Sequence, residues 1–496
     1  MTMDNQMRIP AEGRSGRFAT LWYVCAFLAV MSVVLINGRP LFYFDTIGYV
    51  DQGSEALRQL HVVAPEQAAV TAGSGEGQES AVKTVDGSRS PFYSLIAGIF
   101  SHLGVLEGLL LFNATTLFIA VWLITRVALR THAASMSLAA ATSLPLIVAS
   151  LGSLPFYAAY LMPDLLAPVL VLILSALTAF GRDMRQWERL LAVVIGMAAI
   201  VSHLSHFAIA GLMLVAALPM TLFLGRRGAL IAPLAIVFIL GAAYLQGKAF
   251  QVVAEKAAHS EVVIKPYITA RLIQDGPGYQ WLKRHCPDPA IDSCPLWDAL
   301  QLSHDPYRLT ASHITFETSK RLGSFRLMSE EDQKRVADAQ VAFFKAVLME
   351  MPVETTIAFL KNTFIQSSMV SIDMTLPTDK IVMRNESVTG ALSGPLEIGR
   401  LQGDRPWVEL VVSAETGFYV AALGFVITLL VLPGPVPAAV RVFAVMVMLG
   451  ILANALVCGG ISQPATRYGA RVIWLIPFLA AFMWIWAREP QPGASA

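Results

Sequence analysis

Apolar residues in this chain gather in long runs rather than in the alternation of half-buried elements. The runs lie at roughly 18–37, 106–125, 134–153, 161–180, 188–203, 206–224, 228–246, 411–432, 438–458 and 470–487. Each is close to the ~20 residues a helix needs to cross ~30 Å of hydrocarbon. The pattern predicts an all-α polytopic membrane protein with about ten transmembrane helices. The pair 188–203 and 206–224 can also be read as one long kinked element.

Two polar stretches interrupt the runs. The first is 38–91, whose middle, Ala64–Gly87, is rich in Ala, Gly, Ser and Glu and predicts a flexible insertion. The second is 247–410, which has the composition of a soluble domain. A helical pattern covers 331–350, with Glu331, Lys334 and Arg335 on a polar face and Val341, Phe344 and Val347 on an apolar one. Pro and Gly punctuate the rest at Gly276-Pro277-Gly278, Cys286-Pro287, Cys294-Pro295 and Gly394-Pro395. The expected organisation is a transmembrane module 1–246 carrying the loop 38–91, an inserted mixed, α-rich extracytoplasmic domain 247–410, and a C-terminal transmembrane module 411–496.

Composition sharpens this. The 496 residues are 55% hydrophobic and 14% charged, against about 25% charged in soluble domains. The net charge of +1 offers no basic field for nucleic acid. Of four cysteines, Cys25 and Cys458 lie in apolar runs. Cys286 and Cys294 could pair in a local disulfide on an oxidising side of the membrane, or stay as two thiols; their spacing does not decide.

Charge sets the expected orientation. Arg8, Arg14 and Arg17 precede the first run, which no small-residue cleavage site follows, so it predicts a retained signal anchor. With the N-terminus inside, the inner loops hold Arg126 and Arg130, then Arg182, Arg185 and Arg189, then Arg226 and Arg227, then Arg441, with Arg488 in the tail. The outer loops 154–160 and 204–205 hold no Lys or Arg. Both termini are therefore expected in the cytoplasm, at a bacterial inner membrane.

Five groups at the outer ends of the runs carry candidate chemistry. Asp45 stands in Phe44-Asp45-Thr46-Ile47-Gly48-Tyr49, and Tyr49 would share its helix face. A carboxylate at that depth is costly unless paired or working, and it suits general base catalysis; the plainer reading is a solvated Asp in an aromatic belt. Arg89 and Tyr93 flank Pro91, where a helix too short to span would begin, and Arg89 could pair with Asp45 or a headgroup. Asp164 opens the fourth run, where the helix dipole alone would favour it. His203 and His206 could bind zinc or phosphate, or merely fill a tight turn. Arg467, Tyr468 and Arg471 precede the last run, and two arginines on one helix face suit a phosphate or pyrophosphate as well as plain headgroup anchoring.

This order of outer-loop Asp, Arg-x-Pro-x-Tyr segment, Asp at the fourth run and late Arg-Tyr stretch resembles the GT-C class of integral-membrane glycosyltransferases. The branch it resembles holds the aminoarabinose and mannose transferases and the rhizobial lipopolysaccharide core transferases. The resemblance covers roughly the first 225 residues and the last 90. It implies transfer of a sugar from a polyprenyl-phosphate donor to a lipid, glycan or protein acceptor on the periplasmic face. It implies Asp45 and Asp164 as catalytic carboxylates, with Arg467 and Arg471 meeting the donor phosphate. Tyr49, Arg89, Tyr93, His203, His206 and Tyr468 join them as candidate substrate contacts. The family's usual Asp-Glu pair is here Asp45-Thr46, which leaves a divalent metal an open question. Two other readings compete: a flippase or transporter of a lipid-linked saccharide, and a non-catalytic assembly subunit. Transporters place ionisable residues near mid-membrane, and these runs are nearly free of charge in their interiors.

Overall fold

The computed structural model describes residues 12–59, 83–225, 228, 230–257, 259–286, 288, 290–379, 381, 396–402, 405–434 and 436–488. Arg8, Arg226, Arg227, Pro287, Gly394-Pro395 and the expected insertion up to residue 82 lie outside them.

The chain opens with α1 (Glu12–Val30) and α2 (Ser32–Asn37). The two run on through Met31, whose N–H donates to Phe27 and whose carbonyl accepts from Leu35. Then come α3 (Phe44–Gln59), β1 (Lys83–Asp86) and α4 (Pro91–His102). The apolar helices α5 (Gly108–Thr131), α6 (Leu138–Ala149), the short α7 (Leu154–Ala158), α8 (Leu166–Phe180), α9 (Gln186–Ile200), α10 (Leu204–Phe223) and α11 (Ile231–Ala257) follow. A polar segment holds β2 (Ser260–Val263), α12 (Tyr267–Asp275), α13 (Pro277–His285), α14 (Cys294–Gln301), α15 (Ala311–Phe316), α16 (Glu330–Glu350) and α17 (Pro352–Ser368). The chain closes with α18 (Pro406–Val431), α19 (Ala438–Ile461), α20 (Thr466–Ile473) and α21 (Leu475–Ala487).

Among the described residues, seven segments are long and apolar enough to cross a membrane: Gly108–Thr131, Pro163–Phe180, Leu204–Phe223, Ile231–Lys256, Pro406–Val431, Ala438–Ile461 and Thr466–Ala487. The other three expected runs are helical but shorter. Arg17–Val30 and Leu138–Ala149 are apolar helices below spanning length, and α9 has 15 residues. Pro145 inside α6 removes a backbone donor five residues before Ser150 starts a turn.

Two apolar cores form. The larger gathers the apolar helices at both ends of the chain and also takes in Ile372, Leu376, Ile381 and Leu396. The smaller runs from Val263 to Met351 and centres on Trp281, edge-on to Phe343 at 5.3 Å between ring centroids. Cys286 and Cys294 form a disulfide in it. The stretch 247–410 is thus divided: residues from Val263 to Met351 contribute to a core of their own, whereas Ile372, Leu376, Ile381, Leu396 and Leu401 pack with the apolar helices. In α16 the inward positions are Val336, Ala337, Phe343 and Val347; Val341, expected on that face, is exposed, because six residues set it about 120° around the helix from Val347.

Three contacts position the ends of these helices. Leu41 donates to Ala159 at 2.7 Å and accepts from Leu161 at 2.8 Å, which sets the start of α3 beside the start of α8. Helix α3 crosses α4 with backbones touching: a Cβ on Gly53 would lie 1.8 Å from the Ser94 carbonyl oxygen, and one on Gly98 2.5 Å from Gly53. Strands β1 and β2 pair in parallel, Lys83 with Ser260 through Asp86 with Val263, and so tie the first polar segment to the second.

Candidate functional site

Seven charged side chains form one alternating chain of ion pairs. Arg471 Nη1 lies 3.5 Å from Asp164 Oδ1. Arg467 takes Asp164 in a fork, Nε to Oδ1 and Nη2 to Oδ2 at 3.1 Å each. Its Nη1 donates to Asp45 Oδ2 at 3.0 Å. Arg89 Nη2 donates to Asp45 Oδ1 at 3.3 Å, and Arg89 Nη1 to Asp86 Oδ2 at 3.3 Å. Lys265 completes the chain by pairing with Asp86. Four cations alternate with three carboxylates, so this chain carries one positive charge in excess.

Each member is held by local structure. Asp45 sits in the first turn of α3, where its charge complements the exposed N–H groups. Asp164 occupies the 3₁₀ turn Pro163–Leu165 that leads into α8. Ser90 caps α4 by accepting from Tyr93 N at 3.1 Å, and Pro91 follows at the first helical position, which fixes Arg89 just outside the helix. Arg467 and Arg471 lie one turn apart on α20. Gly48 leaves room for Arg89: a Cβ there would lie 2.3 Å from the guanidinium carbon.

Burial falls along the chain from dry to wet. Asp164 and Arg471 are fully enclosed, Arg467 is 4% exposed, and Asp45 is 35% exposed. Arg89 is 25% and Asp86 33% exposed, so the network meets the outside along Asp45, Arg89 and Asp86. Burial pushes the Asp45 carboxyl upward, but the guanidiniums of Arg467 and Arg89 outweigh that and hold it below the usual carboxylate range. Burial likewise raises Asp86, and Lys265 and Arg89 bring it below that range.

Aromatic rings wall the cluster. The Arg467 guanidinium lies 5.0 Å from the Tyr43 ring centroid, 5.6 Å from that of Tyr468 and 6.0 Å from that of Tyr160. Tyr157 donates its hydroxyl to the Arg467 carbonyl. Tyr49 and Tyr93, expected as substrate contacts, are buried edge to face at 5.3 Å, and Tyr93 accepts from Asn113 at 3.2 Å. They underpin α3 and α4 rather than face a ligand.

Arg471 departs from its expected setting. It donates to Asn454 Oδ1 from Nη2 at 2.8 Å and from Nε at 3.0 Å, and to Ser205 Oγ at 3.3 Å and Cys458 Sγ at 3.1 Å. With Asp164 these partners enclose it, so it holds the inner end of the network and presents no open donor face. His203 caps α10, its Nδ1 accepting from Ser205 N at 3.2 Å. His206 turns Nδ1 to the Ala199 carbonyl at 2.7 Å. The two rings lie 5.4 Å apart. Among the described residues no three His, Cys, Asp or Glu side chains converge. Arg467 stands between Asp45 and Asp164, where a cation shared by the two carboxylates would have to sit.

An apolar groove of about 950 Å³, including its open mouth, runs beside the network. It lies between α17, α18, α19 and α20, and Asn454 and Gly469 line it. Asn454 thus touches both the groove and Arg471. Sequence reasoning passed over Asn454, Asp86, Lys265 and Tyr43. A lone Asn in the run 438–458 was the available signal for the first of these.

No protein-family model matches the chain, and no curated protein matches it. Among solved structures it is similar to the crystal structure of ArnT from Cupriavidus metallidurans bound to undecaprenyl phosphate. The two are 14% identical over 94% of this chain and 77% of that one, with a TM-score of 0.33. A TM-score of that size carries no argument about fold or function.

Proposed function

We propose that the chain is a membrane glycosyltransferase that moves a sugar from a polyprenyl-phosphate donor to an acceptor hydroxyl, with Asp45 as the base. The observation that carries this is the alternating ion-pair chain: it has one cation in excess, and it reaches the outside along Asp45, Arg89 and Asp86. An anionic headgroup is the ligand such a chain lacks, and the neighbouring apolar groove suits the hydrocarbon attached to it.

The network also suggests how binding and reaction are coupled. With no donor present, two guanidiniums hold Asp45 ionised and weakly basic. A phosphate arriving at Arg467 and Arg89 competes for the same donors. Asp45 then loses its cationic partners, gains an anionic neighbour and becomes a stronger base. The acceptor oxygen attacks the anomeric carbon as the carbon–oxygen bond to phosphate breaks. The acceptor proton passes to Asp45, and the released polyprenyl phosphate keeps the bonding electrons, stabilised by the arginines. Arg471 holds Asp164, and through it Arg467, in place without touching either substrate, while Asn454 anchors Arg471 and lines the groove that would take the donor's hydrocarbon. On this reading the site faces the periplasm, and the acceptor is a lipid, glycan or protein.

The test is sugar transfer from a panel of labelled polyprenyl-phosphate sugars, with wild type and Asp45→Asn compared in nanodiscs. Transfer or donor hydrolysis by wild type alone supports the reading. Equal activity in the two proteins removes Asp45 from the chemistry. Donor binding without turnover by either turns the argument toward a flippase.

A further inference from the structure

Helix α17 is built inside out. Its buried residues are polar: Thr355, Asn362, Thr363 and Gln366. Asn362 donates to Asp275 Oδ2 at 2.8 Å. Gln366 both accepts from Ala465 N at 2.9 Å and donates to Ala465 O at 3.0 Å. The opposite face carries Val353, Ile357, Leu360 and Phe364, all 59–78% exposed. That spacing is a single helical stripe, and Glu354 and Lys361 lie to one side of it. In water a surface helix has the reverse arrangement, with its apolar stripe against the core.

The neighbours of α17 explain the inversion. It packs on α19, a membrane-length apolar helix, at a notch of two glycines: a Cβ on Gly459 would lie 2.6 Å from the Asn362 carbonyl oxygen, and one on Gly460 2.2 Å from the Phe359 ring. Ser367 and Val370, farther along, line the same groove as Met448, Leu449 and Leu452. Gln366, one turn beyond Asn362, still meets Gly459, and the groove that Ser367 and Val370 line extends along α19 to Met448, nearer the middle of that helix. Leu452 of α19, in the wall of that groove, is itself half exposed, so apolar surface of a membrane-length helix lies open beside the C-terminal end of α17.

We infer that the Val353–Phe364 face of α17 is embedded in the acyl chains of the bilayer, with its C-terminal end deeper, so that the polar segment dips a helix into the lipid beside the groove. Lipid is the occupant because the stripe stands on a helix packed against a membrane-length span, while the buried polar groups Thr355, Asn362, Thr363 and Gln366 face protein and the exposed Glu354, Thr356 and Lys361 flank the stripe. The inference needs only that α19 crosses the membrane, and it stands whether or not sugar transfer is found.

The experiment places single spin-labelled cysteines at Val353, Ile357, Leu360 and Phe364 in a Cys25→Ser background. There Cys458 is buried and the other two cysteines are bonded. The full chain is reconstituted in phosphatidylethanolamine–phosphatidylglycerol vesicles, and Leu302, 74% exposed at the end of α14, serves as the control. Collision rates with molecular oxygen and with a soluble nickel chelate are then compared. The expected result is an oxygen-to-nickel ratio several-fold above that at Leu302, rising from Val353 to Phe364. A ratio equal to that at Leu302 puts the stripe in water and overturns the inference. Low collision with both reagents means that protein covers the stripe, which overturns it equally.

Discussion

Asp164→Asn separates a dry ion-pair network from a wet one. Asp164 is fully buried and neutralises parts of two guanidiniums, Arg467 by a fork at 3.1 Å and Arg471 at 3.5 Å. The substitution keeps the shape and removes the charge, which leaves Arg471 with no carboxylate and Arg467 with only Asp45, which it shares with Arg89. Breaking a buried pair from one side costs ~3–5 kcal/mol. Asp45→Asn removes an equal charge from the same network at a group 35% exposed, where water replaces the partner and the loss is ~1 kcal/mol or less. The two variants should therefore differ by roughly 2–4 kcal/mol in unfolding free energy. The assay is reversible unfolding by SDS in mixed micelles, with tryptophan emission as the readout. Adding Arg467→Gln to Asp164→Asn removes one orphaned cation and should recover part of the loss, a coupling that a double-mutant cycle measures. If Asp164→Asn unfolds within ~1 kcal/mol of wild type, water or headgroups already reach Arg467 and Arg471, and the argument from burial fails.

Three further outcomes are expected. Burial lifts the Asp51 carboxyl to about 6, with Arg89 only partly opposing it. Because the folded value exceeds the ordinary 3.8, ionised Asp51 costs stability, a penalty absent below the lower value, growing between the two and complete above the higher. Asp51→Asn should thus stabilise the protein at neutral pH by about 1 kcal/mol after allowance for solvent screening, and the gain should vanish in acid; a gain independent of pH would show another cause. Glu415, buried in α18 with Oε2 unpartnered among the described residues, should be replaceable by Gln with no loss of stability, and a clear drop in the SDS midpoint would reveal a cation or donor that needs the charge. Gly53→Ala should force α3 and α4 apart, costing ~1–3 kcal/mol and lowering activity through Asp45 and Arg89, whereas Gly211→Ala, with open space at its Cβ, should be silent.

The apolar runs announced most helices, since hydropathy is a local property and an uninterrupted run has few other uses. Asp45, Arg89, Asp164, Arg467 and Arg471 stood out for a similar reason: charge at the edge of a run is rare. Their wiring was hidden. Arg467 reaches Asp164 across 303 positions and Asp45 across 422, and no local pattern encodes a contact at such range. Arg471 was matched to a phosphate because nothing in the sequence shows that Asn454 and Cys458, on the preceding helix, and Ser205, 266 positions away, turn toward it. Asp86 and Lys265 looked like ordinary loop charges until β1 and β2 paired. Helix α17 was assigned to a soluble domain because its average composition is mixed; only the knowledge of which face is covered shows that its polarity is reversed.

The long reach of Arg467 has a consequence for synthesis. Asp45 and Asp164 are made early, and the arginine that joins them lies 303 residues after the second. At ~5–20 residues per second, Asp164 waits roughly 15–60 s for this arginine and Asp45, 422 residues before it, roughly 20–85 s. During that interval Asp164 sits at the mouth of an apolar helix with no guanidinium beside it, a state that water or a protonated carboxyl must accommodate. Only the arrival of α20 closes the network, so a chain cut short before it exposes its own incompleteness as an unpaired acid.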